Sequence, residues 1–184
     1  MQLIDERGPD ALTFQAVADR VGVAHSALYH HVPSVAALQR AVVEELVVRL
    51  RAGLVQAAMG RAGADAIVAM AHAWRAFAAR HAGSYRLLAS LTADHIAGIE
   101  ELMMLLVDTL ERAGHAEDAA VDLARLVRSA VHGFVSLEAT GGFVLPAASD
   151  SSFEVLVDTL QRTIDRPAPT TSEGGLEHTR EEST

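Results

Sequence analysis

The sequence predicts an all-α fold, a small helix-turn-helix head followed by a larger helical body. Three observations carry that reading. Half of the 184 residues are apolar but only 4% are aromatic, so the core has to be aliphatic. Apolar residues recur at three- and four-residue spacings rather than alternating, which is the period of a helix and not of a strand. Glycines and the five prolines gather between these periodic stretches, where helices have to stop.

Taken in order, residues 1–7 read as the last turns of a helix, with Leu3 and Ile4 apolar before Gly8-Pro9 breaks it. Only a short first helix is therefore expected. Thr13 then offers a hydroxyl to cap the next helix, whose Phe14, Val17, Ala18 and Val21 fall on one face. Gly22 follows where a residue tolerant of positive φ is wanted. In the run after it, Val23, Leu28 and Val32 are expected inward, leaving His25, Ser26, Tyr29 and His30 outward. Two short helices about a tight turn form a helix-turn-helix, whose second member fits a DNA major groove.

Pro33-Ser34 should open a long fourth helix, Ser34 capping it and Leu38, Val42, Leu46, Leu50 and Leu54 running along one side to about Met59. Residues 65–81 follow, with Ile67, Met70, Ala71, Trp74, Phe77, Ala78 and His81 sharing a face. A short helix is expected over 85–91 and another over 95–113, the latter with Ile96, Ile99, Leu102, Met103, Leu106 and Leu110 inward. Residues 117–140 make the next, its stripe read as Leu123, Leu126, Val127, Ala130, Phe134 and Leu137. Asp150 begins the last, with Phe153, Leu156, Val157, Leu160 and Ile164 on one side. Beyond Arg166 the residues are mainly Pro, Thr, Ser, Gly and Glu, a composition that predicts disorder.

Leu3-Ile-Asp-Glu-Arg-Gly8, Leu12-Thr13, Val17-Ala18, Gly22-Val23, Leu28-Tyr29-His30-His31 and Pro33-Ser34 through Leu38 together resemble the N-terminal domain of TetR-family transcriptional regulators. The stretches Trp74–Tyr85 and Ala130–Phe143 resemble the C-terminal domain of a subgroup named for a Trp-His-Gly motif, with Val131 here in place of the Trp. The resemblance implies a DNA-binding domain over 1–42, a regulatory and dimerisation domain over 43–165, and a disordered tail over 166–184. It also implies a homodimer that binds a palindromic double-stranded DNA operator as a repressor and is released by a small-molecule effector.

Candidate DNA contacts are His25, Ser26, Tyr29, His30 and His31, with Thr13 and Gln15 positioned at a helix N-terminus that favours phosphate. The recognition helix has no Arg, and the chain has no Lys at all, so bidentate guanine reading is not available from it. Ala24 stands where the family has a capping Ser, and Val35 where it has a Lys. Candidate effector contacts are Met70, Trp74, Phe77, Tyr85, Met103, Leu106 and Phe134, an apolar set that predicts an apolar ligand. Glu138, one turn after Phe134, is the one carboxylate near that stripe; buried, it needs partners, which a ligand amine or backbone N–H groups would supply. His132 is expected on the opposite, polar side with Arg125, Arg128 and Ser136.

Charge and motif content narrow the alternatives. The net charge is −9, and residues 1–42 hold three arginines against four carboxylates, a poor counterion-releasing surface. That balance favours a second reading, a helical dimer that binds a small molecule or a protein with little DNA affinity. There is no cysteine, and no apolar run near the roughly 18 residues of a membrane span. Neither Glu-x-x-His nor His-x-x-x-His pairs, nor a P-loop, dinucleotide fingerprint or nucleophile elbow, occurs. The sequence therefore predicts a cytoplasmic protein that is not an enzyme and has no cofactor or metal.

Overall fold

The computed structural model describes residues 1–91, 96–145 and 148–166, excluding the side chains of His25, Tyr29 and His30. Those residues form nine α-helices and one 3₁₀ turn: α1 (Gln2–Arg7), the turn (Pro9–Ala11), α2 (Phe14–Val21), α3 (His25–His31), α4 (Val35–Ala58), α5 (Gly63–Arg80), α6 (Ala82–Ser90), α7 (Ile99–Glu111), α8 (Glu117–Thr140) and α9 (Ser149–Ile164). The predicted tail beyond residue 166 and the expected helical start at His95 lie outside the described residues.

Local chemistry fixes the head. Thr13 Oγ1 accepts the Ala16 N–H at 3.1 Å and Ser34 Oγ accepts the Ala37 N–H at 3.1 Å, so each hydroxyl satisfies a donor that its helix leaves unpaired. Gly22 ends α2 at φ 72°, a left-handed conformation that a side chain would strain. Among the described side chains of the head, those buried are Leu3, Ile4, Leu12, Phe14 and Ala18. That core is too narrow to cover both ends of α2. Val21 and Val23, expected inward, are 59% and 45% exposed.

The body has the deeper core. Helix α4 leaves the head and lies along α5, burying Val43, Leu46, Val47, Leu50 and Leu54. Helix α5 buries Ile67, Met70, Ala71, Trp74, Phe77 and Ala78, the face its spacing predicts. α9 packs against α5 and α8 through Phe153, Val157, Leu160 and Ile164.

Helix α8 corrects the sequence reading. Its buried stripe is Ala120, Ala124, Val127, Val131, Phe134 and Val135. The expected inner residues Leu126 and Leu137 are instead 43% and 47% exposed. Leu123, Leu126, Ala130, Gly133 and Leu137 recur at three and four residues along the flank of that stripe, Leu123 and Ala130 half-buried against the core and Leu126 and Leu137 exposed, the spacing of a helix-pairing seam. The helix carries two adjacent apolar stripes, and periodicity alone does not say which one faces the core.

Candidate functional site

Helices α2 and α3 form the reading unit, and two sets of contacts seat it on the body. Within the head, Arg20 of α2 makes a paired ion contact with Glu6 of α1 (2.8 and 3.0 Å) and reaches Gln2 at 3.3 Å. Below it, α1 sits on the first turn of α6. Asp5 accepts the backbone N–H of Ser84 at 2.9 Å, and its other oxygen lies 2.9 Å from His81 Nδ1. Burial alone would raise the Asp5 pKa; the hydrogen bonds from His81 and Ser84 outweigh it and hold the carboxyl below its ordinary value. Gly83 permits the approach, since a Cβ there would stand 2.1 Å from the carbonyl oxygen of Ile4.

The candidate DNA contacts fall on this unit as follows. Thr13, Gln15, Ser26 and His31 are exposed. Thr13 spends an acceptor on its cap, and the Gln15 amide donates to Asp19 at 2.7 Å. His25, Tyr29 and His30 belong to α3, but their side chains lie outside the described ones. Arg20, the cation nearest the turn in sequence, is committed to Glu6, and that hydrogen bond, with its charge, raises the Arg20 pKa.

Beneath α6 lies a cavity of about 80 Å³. Val47 and Leu50 of α4, Trp74 of α5, Leu88 and Ala89 of α6, Leu91, Ile96, Ile99 and Leu102, and Arg128 and His132 of α8 line it. Behind its wall Tyr85, fully buried, joins Trp74 Nε1 (2.8 Å) to His132 Nδ1 (2.7 Å). A second cavity, about 270 Å³, opens between the far end of α4, α5 and α7; Met59, Arg61, Met70, Leu105, Thr109 and Arg112 are among its lining.

The expected effector residues are thus divided. Trp74 lines the first cavity and Met70 the second, while Tyr85 supports the wall of the first. Phe77, Met103 and Leu106 line neither; Phe77 meets His81 with the rings tilted by 52° and their centroids 4.6 Å apart. Phe134 packs between Phe143 and Phe153. Glu138 accepts two hydrogen bonds from Arg75, 2.6 and 2.9 Å, and one from Ser149 at 2.7 Å. Arg75 lies over the Phe153 ring at 4.8 Å and also meets Asp150, so a protein cation, not a ligand amine, satisfies Glu138. Its hydrogen bonds from Arg75 hold the Glu138 pKa below the ordinary value.

His132 is the residue that sequence reasoning misplaced. It is half-buried against Tyr85 rather than on a polar outer face, and Arg128 joins it at the cavity. The available signal was its place beside Val131 on the buried stripe, which becomes visible only once the orientation of α8 is known. Among the described residues no cluster of His, Cys, Asp or Glu suits a metal ion.

This architecture, a helix-turn-helix on a helical body, defines a class of DNA-binding transcriptional regulators, and the comparisons name the family. Residues 1–42 match the model of bacterial regulatory proteins of the tetR family, and residues 67–160 match the tetracyclin repressor-like C-terminal domain. The HTH-type transcriptional regulator Rv0681 of Mycobacterium tuberculosis is 32% identical over 146 residues, covering 77% of this chain and 67% of the relative. A solved protein of unknown function from Rhodococcus sp. RHA1 superimposes with TM-score 0.72 at 25% identity, covering 90% of this chain and 91% of its own. A TetR variant from Acinetobacter baumannii AYE, crystallised in complex with minocycline, has the same fold (TM-score 0.66, 21% identity, covering 89% of this chain and 90% of its own). The chain belongs to the TetR family of transcriptional regulators. It is a regulator rather than an enzyme. No helix among the described residues is long and apolar enough to cross a membrane.

Proposed function

We propose that the chain works as a homodimeric repressor on a palindromic operator, and that a small, mainly apolar effector in the cavity beneath α6 releases it. The DNA-binding part is 1–42 and the regulatory and dimerising part 43–165. The observation that carries the reading is the double duty of α6. Leu88 and Ala89 wall the cavity, while Gly83 and Ser84 on the same helix seat α1 of the head. At about 80 Å³ the cavity is smaller than the roughly 150 Å³ that holds benzene in an engineered protein core. A larger occupant has to move a wall, and a moved α6 carries α1 with it. An effector that binds the displaced form better shifts the population away from the DNA-competent one. The minocycline complex of the Acinetobacter baumannii protein supports ligand binding by this fold.

A two-fold operator calls for a two-fold protein. The outer row of α8 supports one, because Leu126 and Leu137 are exposed and a Cβ on Gly133 would meet nothing within 4 Å. Ser26, His31, Thr13 and Gln15, with His25, Tyr29 and His30 of α3, are the proposed DNA contacts.

Fluorescence anisotropy on DNA from the gene's own upstream region, at two salt concentrations, tests the reading. Saturable binding that the double change Tyr29→Ala and His30→Ala reduces at least tenfold supports it. Changing Gly133→Glu, which places a charge in the seam, should give a monomer by sedimentation and the same loss of DNA affinity. The pairing of Arg20 with Glu6 favours the second reading, a dimer without useful DNA affinity. No binding at low salt would establish that reading in place of the first.

A further inference from the structure

Among the described residues, those that line the α6 cavity have apolar side chains except on the side formed by α8. There Arg128 and His132 stand one helical turn apart. The hydrogen bonds behind that wall determine what His132 offers. Trp74 Nε1, which is only a donor, gives its hydrogen to the Tyr85 hydroxyl oxygen at 2.8 Å. Tyr85 is fully buried, so its own hydroxyl proton requires an acceptor. Trp74 has none to offer, and His132 Nδ1 lies 2.7 Å away. Nδ1 is therefore the bare nitrogen and the ring's proton sits on Nε2. Burial, with the nearby charge of Arg128, holds the His132 pKa below its ordinary value and keeps the ring neutral at pH 7. The polar side of the cavity is thus an N–H donor beside a permanent cation. No carboxylate is among the described residues that line it.

Resting on the effector reading above, we infer that the cavity takes a small apolar acid, whose carboxylate meets Arg128 and His132 and whose hydrocarbon part meets Leu50, Trp74, Leu88 and Leu102. A guanidinium fork matches a carboxylate, and the desolvated site makes that pairing stronger than it would be in water. An amine of the same shape would set a second cation beside Arg128, and a neutral amide would lose the charge pairing. Even a single ring or a short chain exceeds the resting volume of about 80 Å³, so such an acid already has to displace the α6 wall.

Isothermal titration of the full chain at pH 7.5 with benzoate, benzamide, benzylamine, hexanoate and hexanamide tests this. Each acid should bind at least tenfold more tightly than its amide, and benzylamine should not bind. Arg128→Gln should bring acid and amide to equal affinity, and His132→Phe, which keeps the ring but removes the donor, should weaken the acids several-fold. Arg125→Gln, on the exposed side of α8, should leave the preference intact. Equal binding of acid and amide, unchanged acid binding by Arg128→Gln, or no binding by any of the five compounds would overturn the assignment. The cavity-filling change Leu102→Phe separates it from the effector reading. Weakened DNA binding by that variant alongside a failed acid preference removes the acid and keeps the effector; unaltered DNA binding removes the effector reading, and with a failed acid preference it removes both.

Discussion

Asp5 and Glu138 are both half-buried carboxylates that join helices far apart in sequence, and they hold them by different physics. Glu138 binds Arg75, a cation at every accessible pH, in a clamp across α5, α8 and α9 reinforced by Ser149 and the Phe153 ring. Asp5 binds a backbone N–H and an imidazole at the start of α6, beside a glycine on which α1 rests backbone against backbone. The body is therefore locked by charge, whereas the head is located by shape. A charge clamp tolerates small shifts, because Coulomb attraction falls off slowly with distance. Steric contact between backbones tolerates none, which makes the α1–α6 joint the place where a displaced α6 has to be felt by the head.

The sharpest way to break this contrast is Gly83→Ala. The added Cβ would meet the carbonyl oxygen of Ile4 at 2.1 Å, its carbon at 2.7 Å and Asp5 Cα at 2.9 Å, all backbone atoms that cannot rotate away. We expect a loss of about 3 kcal/mol, as for overpacked cores. In a chain of this length that lowers Tm by roughly 6–12 °C. Gly53→Ala, within α4, is the matched control: nothing lies within 4 Å of its Cβ, so it should gain about 0.5–1 kcal/mol from helix propensity. Equal melting temperatures for the two variants, measured by circular dichroism, would refute the shape-located joint.

A smaller effect is expected from Glu138→Ala, which leaves the part-buried Arg75 guanidinium with Asp150 as its remaining carboxylate. Losing the paired hydrogen bonds should cost about 1–3 kcal/mol in urea unfolding. DNA affinity should stay within a factor of about two, since none of the clamp's bonds involves α1. Asp5→Ala should behave in the opposite way, with a modest stability loss and the larger fall in affinity. If both variants lower DNA affinity equally, the division between clamp and joint does not hold.

Much of this fold was legible in the residues themselves. Thr13, Gly22 and Ser34 mark helix ends by capping and backbone chemistry that operates within four residues, and each does what its type predicts. The limits of α8 followed from Glu117 and from Gly141, which ends the helix in the left-handed region. The azimuth of α8 was not legible, because its two apolar stripes are equally good local solutions and only the positions of α5, α6 and α7 choose between them. For the same reason His132 and Arg128 were read as outer residues, and of the expected effector set only Trp74 lines the cavity beneath α6. The Asp5–Ser84 and Arg75–Glu138 bonds span 79 and 63 residues, and no local spacing encodes such pairs.

Acidification should separate the two regions by degrees and give the smallest change per step. Burial depresses the His132 pKa in the folded protein, so the neutral ring is preferred there. Its contribution to stability is complete above the ordinary histidine value of about 6.5 and is lost as pH falls from there through the folded value. The folded pKa of Glu138 is depressed by Arg75 and that of Asp5 by His81 and Ser84 against the cost of burial. Both carboxylates contribute fully above the ordinary carboxylate range of about 4 and lose that contribution as pH drops through their folded values. Urea unfolding from pH 8 to pH 3 should therefore show two descents, a shallow one beginning at about pH 6.5 and a steeper one beginning at about pH 4.5. His132→Phe should remove the first and leave the second, because only the first comes from the wall of the cavity. A first descent that survives in that variant would assign it to another histidine.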